Sequence, residues 1–426
     1  MITTNLRTAF LAVVFIVFAL PGSAGESAPE GLAGLFVRDG VLYHDGRPYR
    51  GVGANYFSLF YRTLKDPTDK SYDEGLRKLS EAQIPFVRFM GGGFWPVDWD
   101  LYLRDKEEYF KRMDAVVRAA EKHQVGLIPS LFWNMATFPD IVGEPMDQLG
   151  NEKSKTIAFI ERYTTEVVLR YRNSPAIWGW EFGNEYNLHV DLPNASSHRP
   201  KIVPHLKTGL ERTSRDELSS DAMLTAFGHF ARTVRKHDAH RILITGNSIP
   251  RPSAFHNSKE KSWKPDNKTQ FESVLRRDNP SPYDVTCVHI YGNNGQGSTK
   301  SISELVETLQ EISGRTKQPL FIGEFGAPKT LGSEKEKALF AEMLGAIEAN
   351  NVPLSAFWVF DHPGQNMDWN VTFENERSDM LKLVAEVNHR MRADLRDNEE
   401  AEGAPQNPCS ADCEDEFLIP GLSLDG

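Results

Sequence analysis

Two stretches of the chain place a carboxylate where a folded core would ordinarily refuse one. IWGWEFGNE, residues 177–185, is apolar enough for a buried strand and then ends on Asn184 and Glu185. PLFIGEFGA, residues 319–327, does the same with Glu324. A carboxylate at the end of an apolar strand is costly unless it is solvated, paired or used. Other apolar runs also finish on polar or aromatic groups. IPFVRFMGG carries Arg88, VGLIPSLFW is followed by Asn134 after Trp133, DVTCVHIYG carries His289 and Tyr291, and LSAFWVFDH carries Trp358, Asp361 and His362.

Two glutamates on different strands point to a definite chemistry. Cleavage of a glycosidic bond needs a proton donor for the leaving oxygen and a second carboxylate across the sugar. When the two lie roughly 5–5.5 Å apart, the second attacks the anomeric carbon itself. Close carboxyls also push their pKa values apart, so one stays protonated while the other stays ionised. The neighbours assign the roles. Arg88 and the Tyr291 hydroxyl suit an anion, which makes Glu324 the expected nucleophile and Glu185 the acid, later the base. Asn184 suits a sugar 2-hydroxyl. In a regular strand Asn184 and Glu185 face opposite ways, so both serve one site only if the strand breaks there. Trp358 offers a flat face for a pyranose ring, with Trp133 and Trp95 as weaker platforms. Trp178 and Trp180, earlier in their strand, are expected to pack against helices. Glu181, mid-strand, needs a buried partner such as an arginine and reads as structural.

The elements that position these groups follow from periodicity. Eight short apolar runs (48–56, 84–92, 125–133, 177–185, 242–248, 284–292, 319–327, 354–362) alternate with helical segments. Ile157, Ile160, Thr164, Val167, Val168 and Tyr171 keep helical spacing, as do Phe110, Met113, Val117 and Ala120. Ser71-x-x-Glu74, Ser301-x-x-Glu304 and Ser333-x-x-Glu336 read as capping boxes. Apolar strands alternating with helices predict a parallel sheet covered by helices, and eight units predict a closed (β/α)₈ TIM barrel. An open doubly wound sheet is the alternative, but GVGAN lacks the full spacing of a phosphate loop. Residues 35–48, with turns at Asp39-Gly40 and Asp45-Gly46, predict an N-terminal β-hairpin. The connections after the fourth and fifth strands, 187–219 and 248–282, are long and are expected on the face where barrel enzymes build substrate walls.

Composition narrows the partners. The 426 residues are 40% hydrophobic and 25% charged, with a net charge of −11, which disfavours nucleic acid or an anionic membrane surface. Residues 1–24 read as a cleaved export signal: Arg7, then an apolar run over 9–20, then Pro-Gly-Ser-Ala. That run is too short to span a bilayer, which takes roughly 20 residues. The organisation expected is a signal over 1–24, a catalytic domain over 35–395 and a flexible acidic tail over 396–426, in a secreted or periplasmic monomer without stable membrane insertion. Cys287 reads as a packed thiol, while Cys409 and Cys413 are close enough to pair in an oxidising compartment. Asn194, Asn267 and Asn370 begin glycosylation sequons. No His-x-His ends the first strand, as a metal-dependent barrel hydrolase would have it, and His237-x-x-His240 reads as solvated.

The sequence resembles glycoside hydrolase family 5, within the clan of retaining (β/α)₈ glycosidases. The resemblance rests on VRF with Arg88, GWEFGNE with Asn184 and Glu185, VHIYG with His289 and Tyr291, FIGEFG with Glu324, and FW with Trp358, and spans about residues 35–390. It implies Glu185 as acid/base and Glu324 as nucleophile, with Arg88 and Tyr291 orienting the nucleophile. Asn184 would hold the substrate hydroxyl, His289 would contact the acid/base region, and Trp358 would stack on the cleaved sugar. It implies a β-linked carbohydrate as substrate and no cofactor. Two departures touch substrate positioning: the third strand ends on Trp133 and Asn134 where many members carry a histidine, and Tyr186 follows Glu185 where proline is frequent. The aromatic third strand end leans toward β-1,4-mannan, then β-1,4-glucan. A transglycosylase or exo-glycosidase on the same site, or an inactive carbohydrate-binding barrel, are the alternatives.

Overall fold

A computed structural model describes residues 33–292 and 301–403. The expected export signal, Cys409 and Cys413 lie outside the described residues.

Three short strands, β1 (Leu35–Arg38), β2 (Val41–His44) and β3 (Arg47–Pro48), form the N-terminal antiparallel hairpin sheet. Eight further strands follow: β4 (Gly51–Asn55), β5 (Phe86–Met90), β6 (Gly126–Phe132), β7 (Gly179–Gly183), β8 (Ile242–Ile244), β9 (Thr286–Ile290), β10 (Leu320–Phe325) and β11 (Leu354–Phe357). They are the eight predicted runs, all parallel, in the order β8-β7-β6-β5-β4-β11-β10-β9. Side chains close the remaining gap between β8 and β9. The Asp284 carboxylate accepts from the Leu243 amide at 2.6 Å, and the Asn279 carboxamide accepts from the Cys287 amide at 2.9 Å. The Asp284 amide donates to the Leu243 carbonyl at 3.1 Å. The result is a (β/α)₈ TIM barrel.

Alternate strand residues divide the core. Phe86, Ile128, Ile242, Phe321 and Leu354 fill the barrel interior above the hairpin's Leu35 and Leu42. Trp180, Phe182, Ile322 and Phe357 point outward and meet the helices. Each such side chain contributes about 1.5–3 kcal/mol on burial, so the alternation both closes the barrel and fixes which residues reach its rim. Trp178 departs from expectation. It packs under the hairpin, with the His44 ring 4.3 Å and the Tyr49 ring 5.4 Å away, because its strand starts at the barrel floor. Trp180 packs as expected and donates its indole N–H to Asp238.

The helix Lys155–Tyr171 buries its predicted face, and Lys106–His123 buries Phe110, Met113, Val117 and Ala120. Of the three predicted capping boxes, only Ser301 caps, accepting from the Glu304 amide at 3.1 Å. Ser71 and Ser333 are first helical residues instead. Asp69 receives the Ser71 amide at 2.9 Å, and Gly332, at φ +84°, turns the chain into the second helix. Connection 248–282 is not one loop, for it contains the helices Ala254–Glu260 and Lys268–Asp278. The last helix, Ser378–Gly403, runs beyond 396, where the tail was expected to begin. Its Asn388 carboxamide bonds both the amide and the carbonyl of Val52 at 2.8 Å, tying this helix to β4. Among the described residues no helix is long and apolar enough to cross a membrane. Cys287 is buried and free; Asn370 is buried, whereas Asn194 and Asn267 are exposed.

Candidate active site

The polar strand ends converge on one rim, at the C-terminal ends of the barrel strands. At its centre lies Arg88 of β5, fully buried. Its Nε donates to both Glu181 oxygens at 2.9 and 2.8 Å. Nη1 donates to Asn55 Oδ1 at 2.9 Å and to Glu324 Oε1 at 2.8 Å, and Nη2 donates to Asn184 Oδ1 at 2.8 Å. The guanidinium also lies 4.5 Å from the centre of the Trp133 ring. Glu181 therefore has the arginine its mid-strand position demanded, and the same arginine reaches the end of β10.

Glu324 sits near the end of β10, where the ladder registers with both neighbours shift. Its Oε2 accepts from the Tyr291 hydroxyl at 2.6 Å. Burial pushes its pKa up and Glu185 adds to that, while His289, Arg88 and the Tyr291 hydroxyl oppose it. Charge-assisted bonds on both oxygens hold the ionised form.

Strand β7 ends at Gly183, and Glu185 then takes a left-handed backbone, φ 53°. That break lets Asn184 and Glu185 both reach the site. The Glu185 amide donates to the Gly246 carbonyl at 2.9 Å. Gly246 itself has φ +73°, and a Cβ there would lie 1.8 Å from the Gly183 carbonyl oxygen, so only glycine fits. The Glu185 side chain is 28% exposed, facing the cleft. Burial raises its pKa, with Arg88 the largest opposing influence. Glu185 has no guanidinium bonded to it, unlike Glu324.

His289 is fully buried, with Nδ1 3.1 Å from Glu185 Oε1 and 3.5 Å from Glu324 Oε1. Burial pushes its pKa down to about 4, so the ring is neutral at neutral pH. Its Nε2 has no partner. An unpaired buried acceptor is better tolerated than an unpaired N–H, which places the proton on Nδ1, between the carboxyls. One ligand atom from each of Glu185, His289 and Glu324 lies within 4.8 Å of the others. Such spacing could also hold a cation, but Arg88 already supplies positive charge to Glu324. The two carboxyls are thus close enough for one to attack where the other protonates.

Two cavities of about 530 and 550 Å³ meet at Phe94, Trp95, Trp133, Asn184 and Glu185. One continues over Glu324, Tyr291 and Trp358; the other leaves Glu185 toward Asn134 and the 187–219 connection. Trp358 is fixed by its indole N–H on Gln365 at 2.8 Å. Trp133 is 6% exposed and Arg88 covers its ring, so it supports the arginine as well as the cleft. Asn134 lines the second cavity and accepts from the Ala136 amide at 3.1 Å. Asp361, expected among the rim groups, instead clamps the loop base, accepting from the Tyr56 hydroxyl at 2.7 Å and from Arg62 at 2.8 Å. Sequence reasoning missed Phe57, Tyr61 and Trp369, which line the Glu324 side; Trp369 lies 5.0 Å from the Tyr291 ring. A tryptophan in a loop otherwise rich in Gly, Asn and Asp was the available signal.

The fold and rim define a parallel (β/α)₈ barrel whose fourth and seventh barrel strands present facing carboxyls. Residues 53–362, well over half of the chain, match the family described as cellulase (glycosyl hydrolase family 5), and the chain belongs to that family. Among curated proteins it is similar to mannan endo-1,4-beta-mannosidase F of Aspergillus clavatus, 26% identical over 185 residues, 38% of this chain and 41% of that protein. The same-named protein of Aspergillus fumigatus is 25% identical over 181 residues, 38% of this chain and 40% of its own length. The chain thus spans about two fifths of the length of these relatives. Among solved structures, the endo-1,4-beta-mannanase from Rhizomucor miehei aligns over 85% of this chain and 100% of its own, with a TM-score of 0.59 and 16% identity, a likeness of fold.

Proposed function

We propose that the protein is a retaining β-glycosidase acting on β-1,4-mannan, with Glu324 as nucleophile and Glu185 as acid/base. The observation that carries this is the unequal environment of two facing carboxyls. Glu324 is bonded by a guanidinium and a phenol, whereas Glu185 is not bonded by a cation and opens to the cleft.

In the first step Glu324 attacks the anomeric carbon as Glu185 gives its proton to the glycosidic oxygen. The carbon–oxygen bond breaks, the leaving sugar departs as an alcohol, and a glycosyl ester remains on Glu324. In the second step the Glu185 carboxylate takes a proton from water, the resulting hydroxide equivalent attacks the same carbon, and Glu324 is released. Arg88 and Tyr291 stabilise the charge that returns to Glu324. Asn184 holds the 2-hydroxyl, the His289 N–H orients Glu185, and Trp358 stacks on the sugar, with Trp133 and Asn134 beside it.

Mannan is favoured by the names of the curated relatives and by the aromatic end of β6. The family's description as cellulase keeps β-1,4-glucan as the second reading. Residues 1–24 support export. The test is hydrolysis of β-mannan, β-glucan and their aryl glycosides by the wild type, Glu185→Ala and Glu324→Ala. Cleavage of mannan that falls by several orders of magnitude in both variants supports the proposal; cleavage that survives in Glu324→Ala refutes the nucleophile.

A further inference from the structure

The cavity that runs from Glu185 away from Glu324 is not electrically neutral, although the protein as a whole carries −11. The 187–219 connection contributes His198, Arg199, Lys201 and Arg212 to its wall, which holds one carboxylate besides Glu185, that of Asp140. Asp140 is spent: both its oxygens accept from Arg212 at 2.7 Å. Arg199 is bonded to Glu217, which lies outside the cavity lining. Lys201 is exposed and has no carboxylate partner among the described residues, and His198 beside it is exposed as well. Neutral sugars need no such cation, and unpaired positive charge in a pocket selects for negative ligands.

Resting on the glycosidase reading above, we propose that this cavity takes a leaving-side sugar bearing an oxyanion, with Lys201 as its principal counter-charge. The anion is either the carboxylate of a uronic acid or a sulfate ester. Phe94, Trp95 and Met135, which also line the cavity, would contact the apolar face of the same ring. Specificity would then reside in the connection, while the bond-breaking groups stay as described.

The test compares kcat/KM on β-mannosyl- and β-glucosyl-(1→4)-glucuronic acid with kcat/KM on their carboxyl-reduced, neutral counterparts. A third set carries a 6-sulfate on the leaving sugar. A preference for either acidic set of about three- to tenfold at low ionic strength is expected, shrinking as salt is added. In Lys201→Ala the acidic-to-neutral ratio should fall toward one, whereas Lys382→Ala, on the C-terminal helix, should keep it. The arm that shows the preference tells carboxylate from sulfate. Equal rates on acidic and neutral substrates, or a preference that Lys201→Ala leaves intact, overturn the proposal while the glycosidase reading stands. Failure to cleave any of these substrates, the neutral ones and aryl glycosides included, defeats both.

Discussion

Arg88 is shared by two buried carboxylates: its Nε grips Glu181 at 2.8 and 2.9 Å while its Nη1 holds Glu324 Oε1 at 2.8 Å. Glu181 therefore moderates the field that Arg88 exerts on Glu324. In Glu181→Gln the full charge of Arg88 falls on Glu324, so the acid limb of kcat/KM should move to lower pH by up to about one unit. An unmoved limb would mean that Glu181 only anchors the arginine.

Removing Arg88 does the opposite. Arg88→Met leaves Glu181 and Glu324 buried without their cation, a situation that costs about 3–5 kcal/mol. Thermal unfolding should show the loss, and residual activity should require a higher pH, because Glu324 then ionises later.

The pH profile follows from the site's directions. In the proposed mechanism activity needs Glu324 ionised and Glu185 protonated, so it should rise as pH climbs through the Glu324 pKa and fall as pH climbs through that of Glu185. Burial raises the Glu185 value, so the basic limb should lie above the ordinary glutamic acid range. Glu185→Gln should abolish that limb and spare only the first step, on aryl glycosides with good leaving groups, which then appears as a burst followed by slow turnover because the base of the second step is gone as well. Stability has its own window. His289 is pushed from 6.5 down to about 4, so its contribution is complete above about 6.5 and is lost as pH falls toward 4. In His289→Asn, melting temperature should fall less steeply over that window than in the wild type.

Gly246→Ala should disturb Glu185 without touching any reacting atom. A methyl there meets the Gly183 carbonyl and an unfavourable φ, in the turn whose carbonyl receives the Glu185 amide. We expect kcat to drop at least tenfold with a lowered melting temperature, read by kinetics and calorimetry; wild-type kcat would show that the turn is dispensable.

The strand ends were legible in the sequence because a closed parallel barrel leaves little freedom there. Apolar runs fix the strands, and a polar residue that ends one is brought to the rim, as Glu185, Tyr291 and Glu324 are, although Asp361 instead holds the base of its loop. The break at Glu185 was required by having Asn184 and Glu185 serve one site, although its left-handed form was not specified. What lay hidden depends on contacts distant in sequence. Trp369 reaches Tyr291 because Arg377 holds its loop, donating to the Asp368 carbonyl at 3.3 Å and to the Ala327 carbonyl at 2.5 Å. The face of Trp133 is taken by an arginine from the neighbouring strand. Helix Lys268–Asp278 went unread because three lysines or arginines and a short apolar face, Phe271, Val274 and Leu275, blur its pattern.

The most direct test of the central claim is to trap the intermediate. A 2-deoxy-2-fluoro-β-mannosyl fluoride should inactivate the enzyme by forming a slowly hydrolysed ester, and peptide mass spectrometry should find the sugar on Glu324. A label on Glu185, or turnover of β-mannosides that releases the α anomer first, would contradict double displacement through Glu324.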